Sequence, residues 1–289
     1  MDAYVIHLLI LIGIYAILAL SLQLALGYGG LLNIGHIAFY GIGAYTSALL
    51  SMAGYPFWFC ILSAGVLASV FGFLLSIPTN RLKGDYLALS TIGFSFVAYA
   101  VMINWNTVTR GPLGIPGIPR PSIFGIGFSD NVNFLILTVV VTIFTYLFIY
   151  RIVSSPFGKV LEAIRDDTLA TKSLGKNTFK VKSIALATSA FFAGIAGSLF
   201  AHYITYIDPS SFSFTQIIPI LLIVMIGGLA SLPGSIFASI ILVLIPEPLR
   251  FIGFSSSIIG PARQIIYTII LLLILNYQPR GFFGKVDLE

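Results

Sequence analysis

Charge is scarce in this chain: Asp, Glu, Lys and Arg together make up 9% of its 289 residues. A soluble domain carries roughly a quarter, so water is not the main solvent here. The single cysteine, Cys60, lies in an apolar run, excludes an internal disulfide and reads as a small core hydrophobe. Only three histidines occur, at 7, 36 and 202, far apart in sequence. With no HExxH, no paired-cysteine spacing and no GxSxG, the parts for metal or hydrolytic chemistry are missing. A Walker A loop is missing too. Lys159, Lys176 and Lys285 follow glycines, but Val160, Asn177 and Val286 stand where Ser or Thr is required. Acids are nearly absent from the apolar stretches, which removes the carboxylates that proton-driven pumps carry in their spans.

What is present is apolar length. Hydrophobic residues make up 58% of the chain, and stretches such as 183–206 and 134–150 approach the about 20 residues that cross a hydrocarbon core of roughly 30 Å. These runs lack the dyad alternation of barrel strands, so the chain reads as an all-α polytopic bundle forming one domain over 1–289. Punctuation by Pro, Gly and charge gives about nine spans, within a range of about eight to ten. They lie near 3–26, 34–53, 56–79, 86–104, 131–150, 183–207, 214–231, 234–253 and 263–277. Residues 1–26 have no basic n-region and no cleavage site, so they read as a span rather than a cleaved signal. The glycine-rich second span and the short break at 231–234 leave a full crossing and a re-entrant or broken helix both open. With the N-terminus outside, eleven basic residues fall on the cytoplasmic side and four (Arg110, Arg120, Arg250 and Arg263) fall outside. The net charge of +5 is therefore a topology signal. No basic stripe interleaved with aromatics marks a nucleic-acid surface.

The most informative polar segment is 151–182. Ser155 and Pro156 suit an N-cap and first helical position. Phe157, Leu161 and Ile164 then make one apolar stripe, with Lys159, Glu162, Arg165 and Asp166 elsewhere. Asp166 or Asp167 can cap a second short helix that Gly175 ends. Two short amphipathic helices at a membrane face could plug a groove on a soluble partner, or simply connect two spans. The second feature is GYGGLLNIGHIAFYGIGAYTSALL, residues 27–50. Its glycines permit close packing or non-helical backbone at membrane depth, and Asn33, His36, Tyr40 and Gly43 would share a polar face directed into the bundle. Ser90, Thr91, Asn104 and Gln216 are further polar residues within spans. Residues 105–130, rich in Gly and Pro, read as an ordered external loop whose Arg110 and Arg120 meet a partner or lipid headgroups. Glu247 and Arg250, at i and i+3, are expected to pair.

In order along the chain, the block 27–50, LKGDYLALSTIGF (82–94), TRGPLGIPG (109–117), FGKVLEAIRDDTLATKSLGKN (157–177), AGIAGSLFAHYITYIDPSSFSF (193–214), VMIGGLASLPGSIFASIIL (224–242) and YQPRGFFG (277–284) resemble the LivM-type permease of branched-chain amino acid ABC importers. The resemblance implies a transport subunit of the bacterial inner membrane beside a second, LivH-type permease, two cytoplasmic ATPase subunits and an external solute-binding protein, with membrane lipid around it. It implies no cofactor in this chain, ATP and magnesium belonging to the ATPases. It assigns Gly158, Lys159, Glu162, Ala163, Arg165, Asp166, Asp167 and Gly175 to ATPase coupling. Gly175 lies thirteen residues after Glu162, where the general importer motif has six, so contacts in other importer families do not transfer position by position. A urea or amide permease of the same family and a stand-alone channel are the alternatives.

Overall fold

The computed structural model describes residues 3–82, 84–123, 126–128, 130–247, 256–277 and 281–284. Among them the chain is a helical bundle. Its helices are α1 (Ala3–Gln23), α2 (His36–Met52), α3 (Phe57–Thr79), α4 (Gly84–Asn104), the single turn α5 (Asn106–Thr109), α6 (Asn131–Val153), α7 (Pro156–Asp166), α8 (Thr168–Ser173), α9 (Thr178–Ile204), α10 (Ile217–Gly227), α11 (Leu232–Leu244) and α12 (Ser256–Tyr277). Five helical stretches among the described residues are long and apolar enough to cross a membrane: Ala3–Tyr28, Phe57–Thr79, Gly84–Asn104, Asn131–Val153 and Thr178–Ile204.

Helix α9 is the axis, packed against α2 and α3 and touching α1. Lipid tails are as apolar as leucine, so such helices associate by close packing and hydrogen bonding rather than by expulsion of water. Both devices are present. A Cβ on Gly43 would lie 2.2 Å from the Gly194 carbonyl oxygen, and one on Gly197 would lie 2.0 Å from that of Tyr40. Ser76 Oγ donates to Ser183 Oγ at 2.8 Å, and Ser189 Oγ to the Ser21 carbonyl at 2.6 Å. On the far side, α3, α4 and α6 turn Val66, Val70, Phe96, Val97, Val140 and Leu147 outward, as a lipid-facing surface requires.

Between α4 and α6 the described residues take part in two short ladders. Strand β1 (Ile115–Pro116) pairs antiparallel with β4 (Tyr206–Ile207), and β2 (Ser122–Ile123) pairs with β3 (Ile126–Gly127). His202 Nδ1 donates to the Pro119 carbonyl at 2.7 Å, which leaves Nε2 to accept from Ser47 Oγ at 2.9 Å. Arg120 Nη1 reaches Asn131 Oδ1 at 2.9 Å, so part of its guanidinium is occupied within the protein.

Several span boundaries differ from the hydropathy reading. Helix α9 ends at Ile204 because Thr205 takes φ +60, and residues 206–207 form the strand instead. Among the described residues, the stretches near 214–231 and 234–253 are α-helical over Ile217–Gly227, entered by the 3-10 turn Phe214–Gln216, and over Leu232–Leu244. At 1.5 Å per residue these are about 16 and 20 Å long, short of a roughly 30 Å core. Gly228 at φ +87 and Ala230 at φ +59 reverse the chain between them, and Gly227 and Gly234 meet so closely that a Cβ on either would strike the other's backbone. Residues 248–255 lie outside the described residues, as does the expected partner of Glu247, Arg250.

Candidate functional site

Around residues 151–182 the chain folds as its stripe dictates. Leu161 and Ile164 of α7 are fully buried and Phe157 partly so, while Lys159, Ala163, Asp166 and Asp167 face outward and Glu162 is half-buried. Ser155 occupies the N-cap position in extended backbone, but its hydroxyl donates back to the Ile152 carbonyl rather than capping α7. Asp167 is the residue that caps α8: its Oδ1 accepts from the amides of Leu169 and Ala170 at 2.7 and 3.0 Å. Gly175, at φ +75, ends the turn that follows. A third cap had not been picked out from the sequence: Asn177 Oδ1 accepts from the Lys180 amide at 3.0 Å and starts α9.

The seat of α7 is the segment that follows α1. After Gln23 the helix widens into a π-turn over Leu24–Tyr28, and the chain then leaves helical geometry until His36. Arg165 turns back from α7 into this break. Its Nη1 donates to the Gly27 carbonyl at 3.0 Å, while Nε and Nη2 each lie 2.9 Å from Asp166 Oδ1. Gly30 is held at φ +61, and a Cβ there would come within 2.7 Å of Arg165 Cγ. Leu161 Cδ1 would lie 3.3 Å from a Cβ on Gly29. The glycines thus let the polar elbow lie directly on the backbone of the broken helix. Away from this seat, Leu169 and Leu174 are 65% and 79% exposed, an apolar pair left uncovered among the described residues.

The break is linked onward. Gln23, fully buried in α1, donates through Nε2 to the Gly228 carbonyl at 2.7 Å, the Ser231 carbonyl at 3.2 Å and Ser235 Oγ at 3.1 Å. It therefore holds the turn between α10 and α11. The C-terminal segment closes the same place, Phe282 N–H donating to the Ile226 carbonyl at 2.9 Å. Gln23 went unnoticed in the sequence, although an amide inside the apolar run ALSLQLALGY is a signal of the expected kind.

The residues expected to line a solute path divide. Asn33, His36 and Thr91 come together at the break, where His36 and Thr91 bond to neighbouring groups while Asn33 Oδ1 is buried without a partner among the described residues. Ser21 Oγ donates to the Leu18 carbonyl, so His36 Nε2–H donates to that hydroxyl at 2.9 Å and Nδ1 accepts from Asn33 Nδ2 at 3.3 Å. Thr91 Oγ1 accepts from the Ile34 amide at 3.1 Å. A narrow crevice touches Asn33 and Thr91. Tyr40 packs between Phe200 and Phe212 and lines a cavity of about 270 Å³ on the α1 side. Gln216 is exposed and lines an adjoining cavity of about 230 Å³. Ser90 is half-buried, and Asn104 is exposed and bonds to its own helix through the Ala100 carbonyl at 2.8 Å; neither belongs to these groups. Arg263 and Glu247 join the two cavities, with Arg263 Nη2 at 3.5 Å from Glu247 Oε1. Arg250, the partner that spacing offers to Glu247, lies outside the described residues.

With five helical stretches of membrane-crossing length among its described residues, the chain is a multi-pass membrane protein. Residues 4–275 match the family of the branched-chain amino acid transport system permease component, and the chain belongs to that family. It is 37% identical to the high-affinity branched-chain amino acid transport system permease protein LivM of Escherichia coli, over 93% of this chain and 67% of that one. It is 25% identical to the probable branched-chain amino acid transport permease protein LivM of Methanocaldococcus jannaschii, over 94% and 91%. More distantly it is 24% identical to the galactofuranose transporter permease protein YtfT of E. coli, over 94% and 78%. No solved structure matches the chain.

Proposed function

We propose that this chain is the LivM-type permease subunit of an ATP-driven importer of leucine, isoleucine and valine in a bacterial inner membrane. It works beside a LivH-type permease, two cytoplasmic ATPase subunits that bind and hydrolyse ATP with magnesium, and an external solute-binding protein. The chain itself contributes a path and no hydrolysis.

The observation that carries this reading is the two-sided elbow. One side of α7 rests on the Gly27–Gly30 backbone through Leu161 and Arg165; the other side and α8 present Ala163, Asp166, Leu169 and Leu174 outward. An amphipathic helix pair with a covered inner face and an uncovered apolar outer pair suits a groove on a soluble subunit. When ATP closes the ATPase dimer, α7 and α8 move with the groove. Arg165 passes that displacement to the end of α1, and Gln23 passes it to the α10–α11 turn, so the spans rock between inward- and outward-open states. Lys159, Glu162, Asp167 and Gly175 shape and orient the elbow.

Changing Leu169 and Leu174 together to aspartate tests this. The expected result is loss of the ATPase subunits on co-purification in mild detergent, with the yield of the two permeases unchanged. Retention of the ATPases at the wild-type ratio overturns the docking surface.

A further inference from the structure

Among the described residues, buried side-chain atoms without a hydrogen-bond partner occur at Gln23 Oε1, Asn33 Oδ1, Tyr45 OH and Arg263 Nε. Of these, the charged one lies at the seam where α1 meets the α10–α11 hairpin and α12. The two cavities there, about 230 and 270 Å³, share Tyr15, Arg263 and Tyr267. The first is finished by neutral polar groups, Thr215, Gln216 and Gln264. The second runs between aliphatic and aromatic walls that include Ile14, Phe200, Ile204 and Leu242, and it carries Glu247.

Two charges are held at the junction. Glu247 is 12% exposed in its side chain and also accepts from the Tyr4 hydroxyl; Arg263 is 34% exposed. At 3.5 Å the Arg263–Glu247 contact is looser than the about 2.7–2.9 Å of a close charge-assisted bond. Among the described residues, Arg263 Nε is buried with no hydrogen-bond partner. A carboxylate largely withdrawn from water beside an apolar chamber, as Glu247 is, is costly, and its retention points to a ligand or a pathway.

We propose that this seam is a binding site for a zwitterionic aliphatic amino acid on its way through the permease. Arg263, helped by the Tyr15 and Tyr267 hydroxyls, takes the α-carboxylate. Glu247 takes the α-ammonium. The branched side chain lies along Ile14, Phe200, Ile204 and Leu242. A donor fork and a carboxylate a few ångströms apart match the two charges on one α-carbon, and an apolar chamber on one side only fixes which way the molecule faces. This inference rests on the import reading above and adds to it a place and a chemistry for the solute.

The test uses the assembled importer, with its second permease, ATPases and binding protein, in proteoliposomes. Arg263→Gln and Glu247→Gln are each expected to lower uptake of labelled leucine by about ten-fold or more, as loss of one partner at a desolvated charge site does. ATP hydrolysis stimulated by the loaded binding protein should persist, and Arg263→Lys should recover part of the uptake. In detergent, without the binding protein, saturation-transfer NMR should detect contact of leucine with the wild-type permease pair and lose it in Arg263→Gln. Neither 3-methylbutylamine nor 4-methylpentanoate, each with one of the two charges, should replace leucine. Uptake within two-fold of wild type in both glutamine variants overturns the site. So does joint loss of uptake and of stimulated hydrolysis in both, which makes the pair a structural strut. A wild-type complex that carries no leucine at all fails the import reading instead, and is told apart because it fails before any substitution is made.

Discussion

The α2–α3–α9 side and the α1–α10–α11–α12 side of the bundle are built from similar residues to opposite ends. The first is tight: glycine meets glycine backbone to backbone, and Ser47, Ser198 and His202 form a chain of bonds from 2.7 to 2.9 Å. The second has a π-turn, a reversed hairpin of short helices, two cavities and a loosely paired Arg–Glu couple. Packed cores have few alternative arrangements and transmit strain, whereas broken helices and voids allow two arrangements of similar energy. In the function proposed above, the first side frames and the second moves, with Arg165 and Gln23 as the joints between elbow and moving side.

The largest effect is expected at the frame. Gly197→Leu would press a side chain into the Tyr40 carbonyl and the Ala44 amide, 2.0 and 2.7 Å from where its Cβ would stand, and should cost about 3 kcal/mol or more. The readout is the yield of monodisperse protein in detergent, which should collapse. A normal yield would mean that the frame is as pliable as the other side. Next comes Gln23→Leu, which removes the donor shared by Gly228, Ser231 and Ser235 and strands buried acceptors at about 1–3 kcal/mol. Uptake should fall several-fold while assembly with the partner subunits survives. If assembly is lost with uptake, Gln23 belongs to the frame and the contrast is drawn in the wrong place.

The smallest effect concerns pH at the end of the bundle away from the elbow. Burial raises the Asp208 carboxyl, but hydrogen bonds from Ser210 and Ser211 outweigh it, and the group is held below its ordinary value. The fold therefore favours the carboxylate. Its contribution is present above the unfolded-state value near pH 4 and is lost as pH falls through the lower folded value. Because the group is half-exposed, the effect should stay below about 1 kcal/mol. Asp208→Asn should abolish the acid-side part of the melting-temperature profile. An identical profile in the variant would deny Asp208 that role.

Local pattern made much of the elbow legible in the sequence. The 157, 161, 164 stripe, the Asp167 cap and the Gly175 stop all lie within one or two turns of the groups they act on. The direction of Arg165 was not legible, because its acceptor is a carbonyl 138 residues away. Nor was the Arg263–Glu247 contact legible, since Arg263 comes from another helix; Arg250, which the i, i+3 rule offers to Glu247, lies outside the described residues. His36 and Thr91 read as path residues because polarity in a span is all that sequence shows. The three-dimensional arrangement also places Thr91 against the unwound backbone at Leu32 and Ile34, and His36 against Ser21 Oγ and the Asn33 side-chain amide. Hydropathy located α10 and α11 but could not show where helical geometry stops, since the reversal depends on positive φ at Gly228 and Ala230.

The most direct measurement is the number of leucine molecules imported per ATP in proteoliposomes containing the complete importer with Arg165→Gln. If Arg165 is the joint between the elbow and the broken first helix, the complex should assemble and hydrolyse ATP while the transport ratio falls by about ten-fold, the loss of one charged hydrogen bond at a buried carbonyl. An unchanged ratio, with hydrolysis and uptake both at wild-type levels, would contradict it.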